Sequence, residues 1–191
     1  MKKYNKILDD EMFDDIRKLD EKFYGKEYLW DKNYQKIIYN ENKKSFIIAV
    51  DDNGKVIGYL NYLNINAQKF DYIKKTKEIV DFFNFKAIKR FSKKLDTYII
   101  IDSIVIDKKW QNTEIISSIT NSFIKELVKL YNNGYKIKGI TGTSVSKDGY
   151  KFLKRLGLKE FKKLEDENYL FILENDDFEK FIEEKRKIYE K

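Results

Sequence analysis

The 191-residue chain has no cysteine, no histidine and no proline, and only eight glycines. Without cysteine there are no disulfides, thiolate nucleophiles or thiolate metal sites. Without histidine the commonest general base and the commonest metal ligand are missing. Chemistry is left to carboxylates, hydroxyls, tyrosines, lysines and backbone amides, and no metal is expected. With no proline, glycine and asparagine carry the punctuation. Long apolar runs are missing too. "YIII" and "SIVI" meet charge within a few residues, far short of the roughly 20 apolar residues that cross a bilayer. The start "MKKYNKILDDEMF" follows its bases with acids instead of an apolar secretory core. The expectation is a soluble, cytoplasmic protein with no membrane contact.

What is present is 42% hydrophobic, enough for one well-cored domain over residues 1–191. No internal repeat interrupts it. Its 39 basic and 32 acidic side chains leave a net charge of +7. That excess fits an anionic partner such as nucleic acid. It also fits a Lys-, Ile-, Asn- and Tyr-rich composition of AT-rich coding type, with acids dispersed among the bases.

A short strand is expected at Tyr4 to Leu8. Met12, Phe13, Ile16, Leu19 and Phe23 fall at helical spacing before Gly25, and Trp30, Tyr34, Ile37 and Ile38 repeat the pattern more briefly. Two β-rich runs flank Asp52-Asn53-Gly54, where Asn-Gly is expected to supply the positive φ angles of a tight hairpin turn. From Lys69 to Lys94 the residues Phe70, Ile73, Val80, Phe83, Ala87 and Phe91 keep a helical beat through many lysines. This predicts a helical insertion between the third and fourth strands. Its lysines and aromatics suit either a solvated face over a buried stripe or phosphate contact and base stacking on RNA. "YIIIDSIVID" is the next strand. It is followed by a helix, the strand "YKIKGITGTSV", a short helix closed at Gly157, and the last strand "NYLFILEN". An amphipathic helix over 176–190 ends the chain, with Asp176 and Asp177 at its start and Lys185, Arg186 and Lys187 near its end, as the helix dipole favours. The fold class is α+β.

The bend after the fourth strand is the place for chemistry. Ile115, Ile119, Phe123 and Leu127 lie four apart, so a helix is expected to begin near Asn112 or Thr113. A helix start offers unsatisfied N–H groups and about half a positive charge, which suit phosphate or carboxylate.

This order of elements resembles the GCN5-related N-acetyltransferase (GNAT) family over about residues 1–175. In that family the fourth strand enters a Gln/Arg-x-x-Gly-x-Gly/Ala turn that holds the pyrophosphate of acetyl-coenzyme A. The piece "KFLKRLGLKEF" is similar to the family's closing signature, with Gly157 at its glycine and Leu158 at its phenylalanine. The resemblance implies a central mixed, mostly antiparallel sheet flanked by helices, with acetyl-CoA as cosubstrate and a small-molecule or peptide amine as acceptor. It places the pyrophosphate on Gln111, Asn112, Thr113, Glu114, Ile115, Ile116 and Ser117. Pantetheine and the oxyanion fall to the backbone of Ile104, Val105 and Ile106. Gln111 matches the motif, whereas Glu114 and Ile116 replace its small residues. Glu114 also reads as an acid stabilising its own helix start.

Asp102 matches a position where many members carry an acid. It reads as the general base, or as a strand-end acid facing solvent or a neighbouring loop. The family's frequent tyrosine acid falls at Leu153, which holds no proton. Its frequent asparagine falls at Ser146, and Tyr150, one turn before Leu153, is the substitute acid or a core aromatic. The implied activity is acetyl transfer to a primary amine. The alternative is a GNAT-fold module that has lost turnover and contacts RNA or a protein. Neither the acceptor nor the oligomeric state is legible, a homodimer included.

Overall fold

A computed structural model describes residues 2–4, 7–26, 29, 31–78, 88–111 and 113–189. Its strands are β1 (Lys2–Tyr4), β2 (Phe46–Val50), β3 (Val56–Asn66), β4 (Thr97–Ile106), β5 (Ile137–Ser144), β6 (Lys159–Lys163) and β7 (Tyr169–Glu174). Its helices are α1 (Asp10–Tyr24), α2 (Lys32–Glu41), α3 (Ala67–Lys75), α4 (Ile115–Asn132), α5 (Lys147–Leu156) and α6 (Asn175–Tyr189). The strands hydrogen-bond in the order β1-β2-β3-β4-β5-β7-β6. Pairing is parallel between β4 and β5 and antiparallel for β1–β2, β2–β3, β5–β7 and β6–β7. This is the mixed, mostly antiparallel sheet of an α+β fold. Two compact units divide the chain: residues 1–62 with 103–123, and residues 63–102 with 124–191.

In the first unit, Asp9 caps α1 by accepting from the Met12 amide at 2.9 Å. The expected stripe Met12, Phe13, Ile16 and Leu19 is buried. Phe13 meets Tyr39 of α2 and Phe46 of β2 edge-on, at 5.7 and 6.0 Å between ring centres. Trp30 lies outside the described residues, and α2 begins at Lys32 behind an Asp31 cap. The first strand is Lys2–Tyr4 and not Tyr4–Leu8. Leu8 is already past it, donating its amide to the Tyr39 hydroxyl at 3.0 Å.

The hairpin is present, but its turn is built differently from the expectation. Only Gly54 takes a positive φ, +85°. The Asp51 carbonyl accepts from Gly54, and the Asp51 carboxylate accepts from the amides of Asn53 and Lys55. A carboxylate that folds the turn from its first residue removes the need for a left-handed Asn53. The register shift between Ala49 and Val50 is the bulge that accompanies such a loop.

In the second unit, the helical beat begins as α3, which ends at Lys75. Val80, Phe83 and Ala87 lie outside the described residues. Ile88 forms an isolated bridge to Ile65, and Phe91 lies edge-on to Tyr135 at 5.8 Å in non-helical chain. The last carbonyls of α3 are held by a lysine of β6: Lys162 donates to Lys74 O at 2.7 Å and to Thr76 O. Strand β6 was not expected, because "KEFKK" has no apolar alternation. It forms as the edge partner of β7, which is buried from Leu170 to Leu173. Helix α5 ends at Gly157, φ +100°, as anticipated. Helix α6 buries Phe178, Phe181 and Ile182. No helix among the described residues is long and apolar enough to cross a membrane.

Candidate active site

In the first unit β4 leads into a bend that stabilises itself. The Asp107 amide donates to Ile57 O of β3 at 2.9 Å. Its carboxylate accepts from the Lys109 amide at 3.1 Å and from Lys22 at 3.2 Å. Those contacts, the Lys109 amide first, hold the Asp107 carboxyl below the usual carboxylate range. A short 3-10 helix, Lys108–Trp110, follows.

Gln111 donates its side-chain amide to Ile106 O at 3.2 Å. Thr113 donates its hydroxyl to Trp110 O at 2.6 Å and accepts from the Ile115 amide at 3.4 Å. Helix α4 therefore starts at Ile115, not at Asn112 or Thr113, because Thr113 is drawn back onto the 3-10 turn. Asn112 itself lies outside the described residues.

The first intrahelical bond runs from Ser118 N to Glu114 O at 3.0 Å. The amides of Ile116 and Ser117 thus belong to the first turn, where helical geometry supplies no partner. Glu114 and Ser117 are exposed, Ile116 is half-buried, and Ile115 is fully buried as the helix's anchor. Ser118 Oγ, also in this turn, is buried with no hydrogen bond. Exposed Lys108 and Lys109 add positive charge to the bend. The first-turn amides and the lysines form a donor set that suits a phosphate group. The Glu114 carboxylate is the one opposing charge in this turn, and its exposure lets solvent screen it.

Ile104 is half-buried, while Val105 and Ile106 are buried. In the second unit the β4–β5 ladder ends at Ile101↔Gly142, so Asp102, half-buried, is the first β4 residue past the pairing. Ser146 caps α5, its hydroxyl accepting from the Gly149 amide at 3.0 Å. Tyr150 lies edge-on to Tyr169 and Phe171 and donates its hydroxyl to Glu160 at 2.5 Å. That hydrogen bond is the main reason its pKa is raised. Leu153 is buried.

A further group in the first unit was missed in the sequence. Asp20 of α1 is 6% exposed. It accepts from the Tyr59 hydroxyl and, at 3.3 Å, from Gln35 Nε2 of α2. The Tyr59 hydroxyl is 3.1 Å from Ser103 Oγ, which is 3.1 Å from the Tyr24 hydroxyl. Burial pushes the Asp20 carboxyl up to about 6, against the lowering effect of its two hydrogen bonds and of Arg17. Burial, then the Asp20 charge, raises Tyr59 far above an ordinary tyrosine. The available signal was positional: Asp20 follows Ile16 by four and Phe13 by seven, on the buried stripe where an acid is out of place. Among the described residues no group of three or more acids comes together to hold a metal ion.

The sequence matches no family model and no curated protein. Its fold is similar to solved structures. Arabidopsis thaliana NAA60 in complex with acetyl-CoA has a TM-score of 0.61 at 14% identity, covering 89% of this chain and 98% of that one. A chain of the NatC complex bound to Gag peptide and CoA gives 0.58 at 14% identity, covering 92% and 99%. Ard1 from Thermoplasma volcanium gives 0.57 at 9% identity, covering 87% and 93%. At these identities the likeness shows the fold.

Proposed function

We propose that this chain, which has the fold of the GCN5-related N-acetyltransferases, is an acetyl-CoA-dependent N-acetyltransferase acting on a primary amine. The observation that carries the reading is the N-terminus of α4, where the amides of Ile116 and Ser117 have no helical partner, a few residues after the exposed Lys108 and Lys109. Oriented amides at a helix start bind a pyrophosphate without a glycine, provided the side chains at 114 and 116 turn aside. The backbone of Ile104 to Ile106 is the proposed seat of pantetheine and the source of the oxyanion donor. An ammonium acceptor must shed one proton before attack and a second as the amide forms. Asp102 is the proposed base for the second of these protons and Tyr150 the proposed acid. A peptide amine suits the reading, since one structure of similar fold holds a Gag peptide with CoA.

A second reading, a binding module without turnover, is favoured by buried Leu153 at the family's tyrosine position. One experiment separates the two. Acetyl-CoA at a hundredfold excess over Kd should stabilise the protein by about 2.7 kcal/mol, seen as a rise in Tm. Free thiol should appear with at least one member of a panel of peptides and small amines. Binding without thiol release selects the module, and no binding at millimolar acetyl-CoA rejects the enzyme reading.

A further inference from the structure

Asp20 is expensive to keep. A carboxylate inside a protein without a hydrogen-bonded cation costs several kcal/mol, and neutral or apolar replacements commonly stabilise such sites. Arg17 is the nearest opposing charge, yet its Nε is buried without a hydrogen bond. Among the described residues the groups bonded to Asp20, directly or through the chain of hydroxyls, are otherwise uncharged: Gln35 from α2, Tyr59 from β3, and Ser103 and Tyr24 one and two hydrogen bonds further on. Polar capacity on this face exceeds what the fold uses. Gln35 Oε1 has no partner, and Asn61, two residues beyond Tyr59 on the same face of β3, is 2% exposed with both amide atoms unpartnered.

The hydroxyls connect in one direction. Tyr59 donates to Asp20, Ser103 can donate to Tyr59, and Tyr24 can donate to Ser103. The outer members, Ser103 and Tyr24, are half-buried and the inner ones buried. This is a wire with a basic inner end and an open outer end. We propose that the Tyr24–Ser103–Tyr59 hydroxyls carry the first proton of the acceptor's ammonium group inward to the carboxylate of Asp20. Asp20 is thus a positioning residue that acts through Tyr59 and Ser103, and Tyr24, at the open end, is the group that meets the acceptor.

The inference rests on the acetyltransferase reading. The ammonium nitrogen loses one proton through the wire, leaving a neutral amine and a protonated Asp20. The amine's lone pair forms the N–C bond to the thioester carbonyl, the nitrogen's second proton goes to Asp102, and the C–S bond breaks as Tyr150 gives a proton to the departing thiolate; Asp102 and Tyr150 are then restored by proton exchange with solvent. Asp20 then returns its proton to solvent. The products are amide, thiol and one proton. A carboxyl held at about 6 is ionised at neutral pH and still basic enough to accept that proton.

The test is the pH profile of kcat/KM from pH 5 to 9, read as thiol release from acetyl-CoA with the best acceptor of the panel. The parent should show an acidic limb near pH 6. Asp20→Asn should lose that limb and fall about a hundredfold at pH 7.5, the lower end of general base catalysis, while acetyl-CoA affinity stays within about twofold. Ser103→Ala, a mild change at the outer end, should do the same and carries the test if Asp20→Asn does not fold. A limb that persists in the variants overturns the wire alone. A parent that releases no thiol overturns the acetyltransferase reading, and the wire with it. A purely structural Asp20 would lower Tm and leave the limb in Ser103→Ala, which also overturns the proposal.

Discussion

The Asp20 carboxyl makes a prediction about stability that is independent of turnover. Its folded value near 6 stands above the 3.8 of an ordinary aspartate, so the folded protein holds this proton more tightly than the unfolded chain. Its stabilising contribution is then complete below about pH 4 and is lost as pH rises through 6, a swing of about 3 kcal/mol. Asparagine does not titrate. The stability difference between Asp20→Asn and the parent, from urea unfolding, should therefore shift towards the variant between pH 4 and pH 7.5. A difference that does not change with pH would mean that the carboxyl is not held protonated. At this scale the sequence is legible where a residue terminates an element, as Gly157 shows. It is poorly legible where a polar residue occupies an apolar stripe, because the partners that make Asp20 tolerable, Tyr59 and Gln35, come from β3 and α2.

Among the elements, those with a strong period of their own were readable: α1, α4 and α6 each bury an apolar face, and the β2–β3 hairpin forms about its Asn-Gly signal. Strand β6 was not, since it depends on a partner and on side-chain contacts rather than on burial. The start of α4 was misplaced because Thr113 bonds backwards to Trp110, a choice that spacing does not record. The β5–β7 pair is tighter than either strand suggests. A Cβ on Gly139 would stand 2.7 Å from Leu173 O and 3.1 Å from Glu174 Cβ. Gly139→Ala should therefore force the two backbones apart and cost about 1–3 kcal/mol, read as a lower urea midpoint. An unchanged midpoint would show that the ladder yields without loss.

For the whole molecule, internal pairing leaves the charge excess of +7 unchanged but ties up many of the bases one by one. Lys22, Lys32, Lys36, Lys74, Lys159 and Lys163 each meet a carboxylate within the chain. Spread charge of this kind attracts a polyanion weakly and mainly through released counterions. Binding to a generic single-stranded RNA should thus be detectable at 50 mM salt and gone by about 200 mM. Retention at 200 mM would reveal a formed RNA surface and revive the nucleic-acid reading of the lysine-rich segment. The unexpected β6 has a consequence of its own at this scale. It lies at one margin of the sheet, where an unpaired backbone invites a neighbouring chain to continue the ladder. Lys159 is tied to Asp177, Glu160 to Tyr150, Lys162 to carbonyls at the end of α3 and Lys163 to Glu167. An incoming strand would have to break these tethers and bring its own backbone against a row of ammonium groups. Crowded copies of the protein therefore lack a flat ribbon on this side from which a fibril could grow.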